Sequence, residues 1–100
     1  MTFSEKVYKF TSLVPRGKVA TYSALAAAIG SPRAVRAVGN ALNKNPFAPK
    51  VPCHRIIRSS GEIGGFAGGC AKKTRLLKIE GVIVRAGRVS LRDYAYDFRT

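Results

Sequence analysis

The sequence predicts a single, mainly helical domain with short β elements, built around a helix-turn-helix of the winged-helix kind. Three observations lead there. Apolar residues recur at helical spacing in four stretches, residues 3–13, 22–29, 33–43 and 72–80. Two of these, 22–29 and 33–43, are separated only by Gly30-Ser31-Pro32, a break tight enough for a helix-turn-helix over about 21–44. The extended segments are all short and sit near glycine. A chain of 100 residues fills one modest core and not two, so 1–100 is expected to be one domain.

In chain order, Thr2-Phe3-Ser4-Glu5 reads as a capping box, a hydroxyl N-cap with Glu three residues on. Phe3, Val7, Phe10 and Val14 then mark the buried side of an amphipathic helix, stopped by Pro15-Arg16-Gly17. Lys18-Val19-Ala20 is short and extended, and Thr21 caps an alanine-rich helix from Tyr22 to Ile29. Gly30 suits the left-handed C′ position, Ser31 a new cap and Pro32 a first helical position. A polar loop, Asn45-Pro46-Phe47-Ala48-Pro49-Lys50, leads to Val51-Pro52-Cys53-His54-Arg55. Arg55-Ile56-Ile57-Arg58 should be a strand turned by Ser59-Ser60-Gly61. Residues 64–69 are too glycine-rich for regular structure; they read as a flexible linker or as a loop whose bare backbone approaches a ligand. Lys72 to Glu80 is a helix expected to bury Leu76, Leu77 and Ile79, closed by Gly81. Val82-Ile83-Val84 and Arg88-Val89-Ser90-Leu91 form a hairpin around Ala86-Gly87, and Tyr94, Tyr96 and Phe98 cover the core.

Charge narrows the partner. Eighteen Lys and Arg against five Asp and Glu leave +13, spread along the chain and not gathered in a tail. Such a surface repels itself and fits a polyanion, nucleic acid first and anionic membrane second. On the helix 33–43, Val35, Val38 and Leu42 share one side. Arg33, Arg36, Asn40, Asn43 and Lys44 share the other, bordered by the small Ala34, Ala37 and Ala41. A basic stripe flanked by methyl-sized side chains lets a helix come close to a duplex, although an ordinary solvated face has the same pattern. No apolar run is long enough to span a membrane, and no signal-peptide core opens the chain. Two cysteines then fit a reduced, intracellular compartment, cytoplasm or nucleoid, or the nucleus in a eukaryote.

Chemistry centres on residues 51–55, where the only histidine lies beside one of two cysteines. Pro52 stiffens the backbone and biases Val51 toward extended geometry. Cys53 is then either a small buried hydrophobe or a nucleophile presented with a neighbouring base. In extended backbone, adjacent side chains point to opposite faces, so a direct thiol–imidazole contact is not expected. Cys53, His54 and Cys70 with scattered acids lack zinc-ligand spacing, so no metal and no cofactor is expected. A Cys53–Cys70 disulfide is open to the chain after oxidation.

The pentapeptide 51–55, Arg36-Ala37-Val38-Gly39, Asn45-Pro46, Gly68-Gly69 and Glu80-Gly81 together resemble the O6-alkylguanine-DNA alkyltransferases, in order from Phe3 to Leu91. The resemblance is to the catalytic DNA-binding half, and the separate N-terminal domain of most members is expected to be absent. It implies that Cys53 accepts the alkyl group from guanine O6 (with O4-alkylthymine a second candidate substrate), irreversibly and once per molecule. His54 would act as base through a water, Glu80 would hold the imidazole, and Asn45 would brace the network and its turn. Arg36 would fill the space left by a flipped guanine, with Tyr22 rotating the nucleotide and donating to the base. Arg33, Ala34, Ala37, Gly39, Asn40, Lys44 and Arg55 would contact DNA. Tyr22, Cys53, Ile56, Phe66, Ala67 and Gly68 would line the alkylguanine pocket, through the carbonyls of Cys53 and Ile56 and the amide of Ala67. Phe66 and Ala67 depart from the tyrosine and serine common in the family, which removes a hydroxyl contact to the base. The implied partner is duplex DNA containing alkylated guanine, bound by a monomer with cooperative binding allowed. Alkyltransferase-like proteins, which bind the lesion without reacting, are the competing resemblance; they commonly carry tryptophan where this chain has Cys53.

Overall fold

The computed structural model describes residues 1–48, 50–64 and 70–99, with the backbone alone of Cys70. It is mainly helical with short strands, a helix-turn-helix domain as the sequence predicts. Helix α1 (Phe3–Thr11) begins at the expected capping box: the Glu5 amide donates to Thr2 Oγ1 at 3.1 Å and the Thr2 amide to Glu5 Oε1 at 2.9 Å. It ends two residues short of the expected 13. The Thr11 and Ser12 hydroxyls donate back to the carbonyls of Val7 and Tyr8, and the chain tightens into turns that tuck Val14 into the core.

Strand β1 (Ala20–Thr21) runs straight into α2 (Tyr22–Ala28), whose Ala24 amide is capped by Thr21 Oγ1. Gly30, at φ +84°, closes α2 in a Schellman turn, with the Ser31 amide reaching the Ala26 carbonyl and the Gly30 amide that of Ala27. Helix α3 (Val35–Asn43) starts later than expected, and Ser31 is not its side-chain cap. Residues 31–34 form a turn in which the Ser31 carbonyl accepts from the Ala34 amide, and Ala34 takes the N-cap position with no side-chain cap. Ala41, expected at the edge of the polar stripe, is buried at 6 % exposure, and its carbonyl accepts the Tyr8 hydroxyl at 2.8 Å.

The parallel pairing of β1 with β2 (Ile56–Ile57) divides the interior in two, because successive strand residues face opposite ways. Ala20 and Ile56 belong to a core shared with α1, α2 and α3; Val19 and Ile57 belong to a second one under α4 (Cys70–Ile79). In α4, Leu77 is buried as expected, but Ile79 is 62 % exposed and Lys73, one turn before Leu77, is 0 % exposed. The buried stripe of α4 therefore runs through 73 and 77, an i,i+4 pair. Gly81 (φ +91°) ends this helix in a second Schellman turn and fixes Glu80 at its C-cap.

Strands β3 (Val84–Arg85) and β4 (Arg88–Val89) form the expected hairpin across Ala86-Gly87, both at positive φ as a type I′ turn requires. A single turn, α5 (Leu91–Tyr94), was not foreseen. The tail then runs beside β1, with the Tyr96 amide on the Val19 carbonyl at 2.7 Å, and Tyr96 and Phe98 cover the first core as expected. Among the described residues no helix is long and apolar enough to cross a membrane.

Candidate active site and nucleic-acid face

The loop before Cys53 is built by Asn45. Its Nδ2 donates to the Val51 carbonyl at 2.9 Å, while its Oδ1 accepts the Phe47 amide at 2.9 Å. Pro52, at φ −82° and ψ 66°, forms an inverse γ-turn, closed by the Cys53 amide on the Val51 carbonyl at 2.8 Å. Cys53–Arg55 then makes one 3-10 turn that passes directly into β2. The expected extended backbone at Cys53 is thus replaced by a turn with three residues per revolution, which sends successive side chains about 120° apart. The expected lack of direct thiol–imidazole bonding survives on different grounds: His54 reaches Glu80 and not Cys53.

His54 is 2 % exposed, and its Nε2 lies 3.0 Å from Glu80 Oε2. Arg55 grips the same carboxylate twice, Nε to Oε1 at 2.9 Å and Nη2 to Oε2 at 2.6 Å, and donates from Nη1 to the Val14 carbonyl at 2.8 Å. Arg55, expected at the DNA surface, is therefore turned inward, its side chain 16 % exposed and committed to Glu80 and the end of the first helical segment.

Burial pushes the Glu80 carboxyl up, but hydrogen bonds from Arg55 and His54 outweigh it and hold the group below its ordinary 4.5. Burial is also the main influence on His54. It holds the imidazole below its ordinary 6.5 against the pull of Glu80, helped by the charges of Arg55 and Lys73. Glu80 is thus an ionised acceptor, so Nε2 must carry the proton and Nδ1 the lone pair. Nδ1 is buried and makes no hydrogen bond among the described residues. A neutral imidazole with an uncommitted basic nitrogen, oriented by a carboxylate, is the form a general base takes. Cys53, on the preceding position of the same turn, is 6 % exposed and free.

Sequence reasoning missed Lys73. Its Nζ donates to the Ile56 carbonyl at 2.7 Å, lies 3.5 Å from the Tyr22 hydroxyl and stands 5.7 Å from the Tyr22 ring centre. The i,i+4 relation to Leu77 was the available signal. Tyr22, the first residue of α2, is half-buried, and its hydroxyl is held above its ordinary 10.0, by burial first and then by the neighbouring Cys53. Ile56 is wholly buried, and Lys73 takes up one of the two lone pairs of its carbonyl. Phe66, Ala67 and Gly68 lie outside the described residues.

Along α3 and the residues flanking it, Arg33, Arg36, Ala37, Asn40, Asn43 and Lys44 are exposed together, with Ala34 and Gly39 half-buried between them and the core. Gly39 is informative, since glycine inside a helix costs about 1 kcal/mol relative to alanine. A Cβ there would meet nothing within 4 Å, so the chain's own packing does not call for glycine. Among the described residues no cluster of His, Cys, Asp and Glu could hold a metal ion.

Fold and site together define a helix-turn-helix domain with a basic second helix and a thiol–imidazole–carboxylate centre. Residues 2–82 match the family described as 6-O-methylguanine DNA methyltransferase, DNA binding domain, and the chain belongs to that family. It is 47% identical over 78 residues to the methylated-DNA–protein-cysteine methyltransferase of Methanosarcina barkeri, covering 78% of this chain and 49% of that protein. Among solved structures, Mycobacterium tuberculosis OGT in complex with DNA aligns with a TM-score of 0.78 at 42% identity over 80% of this chain and 50% of that one. S. pombe Atl1 in complex with damaged DNA containing O6-carboxymethylguanine aligns at 0.87 and 32% identity, over 95% of this chain and 94% of that one. The chain thus spans about half the length of the methyltransferases it matches.

Proposed function

We propose that the chain repairs DNA inside the cell by moving the alkyl group of O6-alkylguanine onto Cys53. The observation that carries this reading is the neutral, carboxylate-held His54, whose basic Nδ1 is left over for the thiol on the adjacent residue. The relatives named as methyltransferases support it. A water between the Cys53 thiol and His54 Nδ1 takes the thiol proton to the imidazole. The thiolate attacks the alkyl carbon; the S–C bond forms, the C–O6 bond breaks, and its electron pair leaves on the base. Tyr22, kept protonated by burial, donates a hydrogen bond to the departing guanine, whose anion takes up a proton from water as the His54 imidazolium releases one, and the thioether at Cys53 is final.

A stacked base is out of reach of a buried thiol, so the nucleotide is flipped at a cost of a few kcal/mol. Arg33, Arg36, Asn40 and Lys44 bring α3 against the duplex with Ala37 and Gly39 at the closest approach, and Arg36 fills the vacated stack. Asn45 fixes the loop that delivers Cys53, and Glu80 orients His54. The protein acts on double-stranded DNA as a monomer and without a cofactor. In the test, an oligonucleotide bearing O6-methylguanine adds one methyl mass to the peptide containing Cys53, and a Cys53→Ala variant binds the same DNA with no mass change.

A second reading, lesion binding without transfer, is favoured by one observation: the fold aligns with Atl1 at a TM-score of 0.87, against 0.78 for OGT. Tight binding to the methylated oligonucleotide with Cys53 left unmodified would select it.

A further inference from the structure

The hairpin β3–β4 lies beyond residue 82, where the family match ends, and the proposed chemistry leaves it without a task. Its two faces differ. Val84 and Val89 are register partners and turn into the second core, so Arg85 and Arg88, the adjacent partners, share the outward face. Like charges directly opposite on a hairpin are destabilising. Among the described residues neither guanidinium has a hydrogen bond or an ion pair to offset the repulsion.

That face is also hollow. Ile83, 55 % exposed, lines a depression of about 530 Å³ with Arg85, Arg88, Ser90, Tyr94 and Ser60. Two carboxylates stand nearby: Asp93 on the rim, and Glu62, which pairs across from Arg88 and accepts the Ser60 hydroxyl at 3.2 Å. The hollow leads toward the site. Ser60 is shared with an adjoining depression lined by Tyr22, Ser23, Val35 and Arg58, at the start of α2 and α3. The hairpin is also fastened to this turn, through the Val89 amide on the Gly61 carbonyl at 2.8 Å and the Ile63 amide on the Gly87 carbonyl at 3.0 Å.

We infer that the outward face of the hairpin is a phosphate clamp: Arg85 and Arg88 grip the backbone of the DNA strand leading away from the Tyr22 side of the site, with Ile83 against its sugars. The inference rests on the DNA-binding reading above. Two arginines forced onto one face find in phosphate the anion that relieves their repulsion, and the two depressions that share Ser60 give the strand a path from the site to them. An acidic peptide would satisfy the charges but has no reason to follow that path.

The test is the salt dependence of binding to a duplex containing O6-methylguanine, for wild type and for Arg85→Gln/Arg88→Gln. Both side chains are exposed and the substitutions relieve their repulsion, so a melting temperature at or slightly above that of the wild type is expected. The slope of log K against log salt should become shallower by about 2, one per lost arginine contact. Alkylation of Cys53 by free O6-benzylguanine should stay at the wild-type rate. Hydrogen exchange supplies a readout free of substitutions: amides 83–90 of the wild type should gain protection when the duplex is added. A wild-type protein that binds steeply while the variant keeps its slope overturns the clamp and leaves the DNA reading intact. Failure of the wild type to bind any duplex removes both. Binding of polyglutamate that depends on Arg85 and Arg88, with the DNA slope unmoved, overturns the clamp in favour of an acidic protein partner.

Discussion

Replacing Glu80 with glutamine keeps its volume and removes the charge that the buried His54 and the half-buried Arg55 share. The carboxylate accepts two hydrogen bonds from Arg55 and one from His54, with side-chain exposures of 8% at Glu80, 16% at Arg55 and 2% at His54. Removing one partner of a buried pair costs about 3–5 kcal/mol. Arg55 keeps its bond to the Val14 carbonyl and some access to water, which sets the expectation at the low end, about 3 kcal/mol. For a domain of this size that lowers the melting temperature by roughly 10 °C or more.

The effect on chemistry is separable. Without the carboxylate neither imidazole tautomer is selected, and Cys53 alkylation should slow by about a hundredfold, the low end for a positioned base. The pH dependence distinguishes this from general loosening. Glu80 raises the His54 pKa while burial lowers it, so Glu80→Gln should move the acid limb of the rate profile to still lower pH. Stability has the same sign in the wild type. His54 and Glu80 both titrate below their ordinary 6.5 and 4.5, so their contributions are full above those values and are lost as pH falls through the folded ones. Melting temperatures should be flat from neutral pH upward and fall on acidification, and the variant should lack the step below 4.5. The assay is single-turnover alkylation by O6-benzylguanine across pH, at a temperature where calorimetry shows the variant folded. A rate within twofold of wild type with an unmoved acid limb would refute the role given to His54 and Glu80.

Three other substitutions probe separate parts. Arg36→Ala should impair transfer from duplex DNA far more than reaction with free O6-benzylguanine; equal losses would mean that Arg36 does not support flipping. Gly39→Ala should stabilise α3 by about 0.5–1 kcal/mol in a denaturant titration, since the new methyl meets open space, while weakening duplex binding by crowding the DNA. Unchanged affinity would show that the duplex does not come close at Gly39. Lys73→Met strands the buried Ile56 carbonyl, costing about 1–3 kcal/mol, and removes a charge that lowers the His54 pKa. The acid limb of its rate profile should therefore move up, opposite to Glu80→Gln, and a downward shift would contradict the electrostatics described above.

Much of the fold was readable because its signals are local. The Thr2–Glu5 box, the Gly30 stop and the Ala86-Gly87 turn each act over three or four residues, where capping and allowed φ decide the outcome. The exposure of Arg36 and Asn40 on α3 follows from helical period alone. Local rules misjudged Ser31, because Gly30 and the following turn delayed α3 to Val35. They misjudged Cys53 too: Pro52 is stiff in an inverse γ-turn as well as in a strand, and the loop held by Asn45 selected the turn.

By itself the sequence determined the elements, the basic helix and the stiffened Pro52-Cys53-His54-Arg55 segment; residue order and resemblance also pointed to Glu80. Tertiary structure decided which charges face outward. Arg55 reads as a surface cation and Lys73 as part of a solvated helix face. Packing α4 against the Cys53–Arg55 turn draws both cations inward, Arg55 half-buried against Glu80 and Lys73 fully buried against the Ile56 carbonyl. Neither partner is within reach along the chain, and a buried charge is held only where such a partner stands ready. That condition exists once the fold has closed, and it turns a cysteine next to a histidine into a thiol beside an imidazole held by a carboxylate.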